Sequence, residues 1–212
     1  MNKIFSFFKK YFDVFKAIIV LTVVCLVISA ALAFTNNITK DKIAAMEKAS
    51  ASAAMEALIP NAEYQKIDLS GVDGIENAEI YTASLNDETV GYIITTAAKG
   101  YGGDVMVMTA ISSDKKVIGV NILSAADETP GLGQNATKPE FYNQFLNKTL
   151  GVTVVKNGAK GNEINAVTGA TITSRAVTTA VNEALSQLDT YLNSITTIIT
   201  EDVTDMEVQY EE

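Results

Sequence analysis

From Ala17 to Phe34 the chain carries no charged residue. About 18 residues at roughly 1.5 Å each make a helix on the order of 27 Å long, close to the hydrocarbon thickness of a bilayer. This run constrains everything that follows, because a segment so apolar must be covered by lipid or lie deep in a core. A cleaved signal peptide is the competing reading. Its apolar stretch is usually about 7–15 residues, however, and this one is longer and leaves through Ala30–Ala33 directly into a polar helical segment. A retained single-pass anchor is therefore expected.

Charge orients the anchor. Lys3, Lys9, Lys10 and Lys16 precede it with only Asp13 opposed, so the first 34 residues carry +3, leaving −12 of the overall −9 for the remainder. The positive-inside rule then puts the N-terminus in the cytoplasm and the C-terminal part beyond the cell (inner) membrane. An acidic exterior argues against nucleic acid or anionic lipid as partner, since both need a basic surface. Cys25 lies inside the anchor, so the exterior part has no disulfide and must be held by its core.

Hydrophobic periodicity organises the rest. Residues 1–16 read as a cytoplasmic N-terminus, 17–34 as the span, 35–60 as a linker helix, 61–194 as one exterior domain and 195–212 as an acidic, solvated tail. The linker has Thr39 or Asp41 as its cap and Pro60 as its stop, and its face is weakly apolar, as expected of a spacer outside the main core. Alternation over Ile80–Ser84 and Val90–Thr95 around Asn86-Asp87-Glu88 predicts a hairpin. A second pair is predicted over Asp104–Ile111 and Lys116–Leu123. Pro139 opens a short helix through Phe141, Phe145 and Leu146. Val152–Val155 forms a strand ending at the turn dipeptide Asn157-Gly158. A helix from about Ser174 to Leu192 carries the stripe Val177, Val181, Ala184, Leu185, Leu188 and Leu192. The fold class is α+β, an antiparallel sheet with flanking helices.

The residue inventory narrows the chemistry. The chain has no histidine, one cysteine and no tryptophan. This excludes a Ser-His-Asp triad, a Cys-His pair and any His- or Cys-ligated zinc or iron–sulfur site. The best remaining place for chemistry is Thr168-Gly169-Ala170-Thr171-Ile172-Thr173-Ser174, between a strand-like segment and the long helix. Small residues and hydroxyls just before a helix N-terminus outline a phosphate site, with Gly169 permitting close approach and Thr173 or Ser174 available as caps. The same residues also suit a plain helix start. A threonine-nucleophile hydrolase is disfavoured, because Thr171 is internal and has neither a free α-amine nor a histidine as base.

The segment Ile164–Ser174 resembles the flavinylation motif of the FMN-binding domain family, found in the G subunit of the Rnf electron-transport complex and the C subunit of the sodium-pumping NADH:quinone reductase. Asp127-Glu128-Thr129-Pro130-Gly131-Leu132-Gly133 is similar to that family's E-T-P-G-L-G loop, and Gly100-Tyr101-Gly102-Gly103 to its glycine-rich turn. The resemblance implies covalent FMN, its phosphate esterified to Thr171, with Thr168, Gly169, Ala170, Thr173 and Ser174 around the attachment. It implies a loop over the isoalloxazine ring in which Glu128, Thr129, Gly131 and Leu132 take part, Leu132 packing on the ring and Thr129 meeting its polar edge. Tyr101 is either a ring contact or a core or rim aromatic.

Function follows as an expectation: an electron-relay subunit of an Rnf complex, which couples electron flow between ferredoxin and NAD⁺ to Na⁺ or H⁺ transport. It would not be catalytic alone and would have no substrate pocket. Its partners would be the other membrane and redox subunits and a flavin transferase for maturation. The alternatives are the quinone-reductase C subunit or another flavinylated extracytoplasmic carrier, and a membrane-anchored module without flavin. Asn165 motivates the last, because it stands where the family usually has an aspartate.

Overall fold

The computed structural model describes residues 2–69, 72, 74–75 and 78–209. The chain divides into two compact units, 1–50 and 51–212. The first helix, α1, spans Asn2–Leu58 and contains the charge-free run, in a stretch long and apolar enough to cross a membrane. Every side chain from Val14 to Ile38 is exposed. Such a surface is stable only when lipid or protein covers it.

The separate linker helix expected after the span does not exist. No glycine or proline interrupts the sequence between Asn2 and Ile59, so nothing breaks the helical ladder. Thr39 caps nothing; its hydroxyl donates back to the Thr35 carbonyl at 2.9 Å, as hydroxyls do inside helices. The real stop is at Pro60. Asn61 follows in the left-handed region with φ 58°, and its amide donates to Glu56 Oε1 at 3.0 Å.

The second unit is built on a five-stranded antiparallel meander in the order β1-β2-β3-β4-β5. The strands are β1 Glu63–Lys66, β2 Glu79–Leu85, β3 Glu88–Lys99, β4 Asp104–Ser112 and β5 Val117–Ser124. Asn86 and Asp87 both have positive φ, 52° and 65°, which gives the β2–β3 turn the twist a two-residue hairpin needs. Sequence patterning misses β1. It is an edge strand with three of four side chains exposed, so it leaves no alternation to read.

The sheet is covered on both faces. On one, Ile80, Ile94, Val105, Val107 and Ile111 pack with Val177, Val181, Ala184, Leu185 and Leu188 of α3, Thr171–Gln209, and with Phe141 and Phe145. On the other, Ala83, Ile93, Met108 and Ala110 pack with Ala54, Met55 and Ile59 at the end of α1. The last turns of α1 are thus a core layer of this unit rather than a spacer.

Between β5 and α3 the chain makes a one-turn helix α2, Pro139–Tyr142, continued by a 3₁₀ turn. Leu146, expected on its apolar face, is exposed. Two short strands follow, β6 Thr153–Val155 and β7 Glu163–Asn165, and they pair in parallel. The Asn157-Gly158 bend is therefore no hairpin turn, although Gly158 does adopt φ 76°. The α3 helix begins three residues earlier than its apolar stripe indicates. It also continues through most of the segment read as a solvated tail, because no glycine or proline follows Gly169. Residues 210–212 of that tail lie outside the described residues.

Asn182 ties β6 to α3. Its Oδ1 accepts the amides of Gly151 and Val152 at 3.0 and 2.9 Å, and its Nδ2 donates to the Val152 carbonyl at 2.9 Å. At about 1 kcal/mol for each such bond, Asn182→Ala is expected to cost roughly 2–3 kcal/mol. The measurement is a lower urea midpoint with an unchanged slope.

Candidate functional site

Strand β7 leads through Ala166 into a tight turn, closed by the Ala170 amide donating to the Val167 carbonyl at 3.0 Å. Gly169 takes φ 78° there, a conformation that side chains rarely tolerate, and a Cβ on it would lie 3.0 Å from Leu132 Cδ2. The glycine therefore serves the turn and the approach of the Leu132 loop together.

Four hydroxyls crowd this run, and the structure divides them into two kinds. Ser174 is buried; its Oγ accepts the Val167 amide and donates to the Ala170 carbonyl, both at 2.9 Å. Thr173 is buried and donates to Glu128 Oε2. Neither caps α3, contrary to the sequence reading, because the helix has already begun at Thr171. They lock the turn from inside. Thr168 is exposed and Thr171 half-buried, and among the described residues no hydrogen bond engages either hydroxyl.

The first bond of α3 from its N-terminal side is Ser174 N to Ala170 O, at 2.9 Å. The amides of Thr171, Ile172 and Thr173 consequently have no acceptor among the described residues. They form the positive end of a long helix, in a position suited to an anion on Thr171.

Glu128 gathers the surrounding segments. Its side chain is 2% exposed, and Oε1 accepts the amides of Tyr101 and Gly102 at 2.8 and 3.1 Å. Oε2 takes the Thr173 hydroxyl. Any Cβ on Gly100 would collide with Oε1, and one on Gly133 would lie 2.5 Å from Oε2. Burial pushes the carboxyl pKa up, but the Thr173 hydroxyl and the amides of Gly102, Tyr101 and Gly103 outweigh it, and the net direction is below the ordinary 4.5.

The sequence-predicted residues thus converge, but in different roles. Thr168, Gly169, Thr171 and Leu132 form the accessible part, whereas Ala170 is buried. Glu128, Thr173 and Ser174 form its buried support, and Glu128 reaches the site through protein groups rather than as a surface ligand. Tyr101 presents its ring to solvent at 71% exposure, so it is no core aromatic. Thr129 and Gly131 lie on the exposed rim; the Thr129 carbonyl accepts the Leu132 and Gln134 amides at 3.1 and 3.3 Å.

Beside the run lies a groove of about 360 Å³ lined by Asn135, Lys138, Phe141, Gln144, Asn165 and Val167 among others. Asn165 is engaged on both sides, with Oδ1 accepting the Ala159 amide at 3.0 Å and Nδ2 donating to Gln144 Oε1 at 3.3 Å. An amide suits this place, because an aspartate would set a second acceptor against Gln144 Oε1. The partner stands 21 residues away, too far for sequence spacing to indicate.

Residues 100–186 match the family model described as FMN-binding domain. The G subunit of the proton-translocating ferredoxin:NAD(+) oxidoreductase complex of Clostridium ljungdahlii is 36% identical over 172 residues, covering 81% of this chain and 89% of the relative. The G subunit of the Na(+)-translocating ferredoxin:NAD(+) oxidoreductase complex of Acetobacterium woodii is also 36% identical, with 81% and 90% covered. A crystal structure of Shewanella oneidensis NqrC is alike in fold, with TM-score 0.51 at 22% identity, over 64% of this chain and 69% of that one.

The lowered Glu128 pKa has a stability consequence. The carboxylate contributes stability that is fully present above the ordinary 4.5 and is lost as pH falls through the depressed folded value. Glu128→Gln is expected to cost about 2–3 kcal/mol at neutral pH, the scale of charge-assisted bonds. Urea unfolding at stepped pH checks this, and the gap between wild type and variant should narrow as pH falls below that of an ordinary glutamate.

Proposed function

This chain belongs to the G-subunit family of ion-translocating oxidoreductase complexes, and we propose that it is an electron-transfer subunit of a ferredoxin:NAD⁺ complex carrying FMN esterified to Thr171. One observation carries the attachment residue. Of the four hydroxyls in the run, Thr173 and Ser174 are buried and bonded, whereas Thr171, at the first position of α3, and the amides of Thr171, Ile172 and Thr173 have no hydrogen-bond partner among the described residues. Thr168 is also unengaged, but it sits in the turn, away from the start of the helix.

The residues present fit such a group. The amides of Thr171, Ile172 and Thr173 would hold the phosphate, the exposed Gly169 leaves the approach open, and Leu132, 44% exposed beside Gly169, offers an apolar surface to a flat ring. Bound FMN supplies the electron chemistry. The tether keeps the cofactor at a high effective concentration in its site.

In this reading the N-terminus is cytoplasmic and the flavin domain lies on the outer side of the cell membrane, which the lysines before the span support. Partners in this reading are the other membrane and redox subunits of the complex, with a flavin transferase for maturation. The quinone-reductase C subunit is less well supported, because the 36% relatives are G subunits and the 22% likeness to NqrC speaks only of fold.

The test is expression with a flavin transferase and inspection of a denaturing gel under ultraviolet light. A fluorescent band is expected, retained in Thr168→Ala and absent in Thr171→Ala. A band that persists without the Thr171 hydroxyl would falsify the attachment. A colourless native protein of unmodified mass would favour the flavin-free module that Asn165 brings into consideration.

A further inference from the structure

We propose that Glu128 and Thr173 are a positioning pair that sets the surroundings of the group carried on Thr171, while attachment itself rests on Thr171. The inference rests on the flavin reading for its optical consequences and on geometry alone for its structural ones.

Three segments distant in sequence meet on one buried carboxylate. The Tyr101 and Gly102 amides come from the turn between β3 and β4, 27 and 26 residues before Glu128, and the Thr173 hydroxyl comes from α3, 45 residues after it. Thr173 is 1% exposed and lies on the same helical turn as Thr171. The loop that returns from Glu128 passes back over the pair at Gly133, where a Cβ would lie 2.8 Å from Thr173 Oγ1, and one residue earlier it presents Leu132 against Gly169. Tyr101 and Leu132, both exposed, are thus carried on segments whose position relative to α3 depends on this contact.

The arrangement has little slack. Removing the Thr173 hydroxyl leaves Glu128 Oε2 without that donor in a dry place. The carboxylate must then turn toward water, and in turning it releases the Tyr101 and Gly102 amides. The helix itself is not disturbed, because Ser174 still closes the Val167–Ala170 turn. Substituting Thr173 should therefore alter what surrounds Thr171 without altering the Thr171 hydroxyl.

The full-length protein in detergent provides the test. Thr173→Val is compared with Thr173→Ser, which keeps the hydroxyl, and with Thr178→Val, which removes a buried hydroxyl bonded to the Ser174 carbonyl one turn further on. Amide hydrogen exchange at Tyr101 and Gly102 is measured in the Thr171→Ala background, where flavin plays no part. Thr173→Val is expected to speed it about tenfold, with Thr173→Ser and Thr178→Val near wild type. In flavinylated protein, Thr173→Val should keep the flavin mass but shift the flavin absorption maximum and midpoint potential, and Thr173→Ser should restore both. Wild-type exchange in Thr173→Val, or an equal effect from Thr178→Val, overturns the proposal. If Thr173→Val is too unstable to purify, Thr173→Ala, which also lacks the hydroxyl that Glu128 accepts, takes its place with the same expected and overturning results. A wild type without flavin sinks the attachment reading instead, and the exchange measurement then decides the pair by itself.

Discussion

One buried carboxylate holds the business end of the sheet together. Glu128 is almost entirely out of solvent, and its donors come from two parts of the chain distant from it, the Tyr101–Gly102 turn and Thr173. A charge in that place is costly unless it is fully hydrogen-bonded, so the glycine turn, the returning loop and the first turn of α3 are bound to a common geometry. Glycines at 100 and 133 are what allow three backbones to close on it. Without that meeting point, the Leu132 loop and the Thr168–Thr171 turn would be neighbours only through a single contact at Gly169.

The same contact helps divide a run rich in hydroxyls into engaged and unengaged ones. Thr173 and Ser174 would look as eligible as Thr171 in any tally of nucleophilic oxygens, yet one answers to Glu128 and the other to the turn's own backbone. What remains accessible lies at the positive end of α3, which extends away beneath the sheet as the main core helix. Stability and site are therefore built from one element: the stripe of Val177, Val181 and Leu188 fixes α3, and its fixed N-terminus presents Thr171.

Legibility followed the physics of each element. The β2–β3 and β4–β5 pairs were readable because one face of each strand packs under α3 and the other under α1, leaving a strong apolar signal with clear turns. The β1 strand was invisible because an edge strand of Glu63, Gln65 and Lys66 has no face to bury. The continuity of α1 and the two ends of α3 were misjudged, since absence of glycine and proline permits a helix but does not announce it. The parallel β6–β7 pair was missed because three-residue strands carry no periodicity. In the site, the motif order was legible, whereas the Glu128–Thr173 and Asn165–Gln144 contacts were not.

By itself the sequence determined the long apolar span, the antiparallel sheet that follows it and the absence of histidine and of any thiol beyond the span. These are properties of local composition and short spacing, which survive without a fold. Only the tertiary structure decided which hydroxyls of that run are free, that Glu128 supports the site from beneath, and that the end of α1 closes the second face of the sheet. Each of those depends on groups tens of residues apart being brought within hydrogen-bond or van der Waals reach. Distance along the chain says nothing about that until the core has closed.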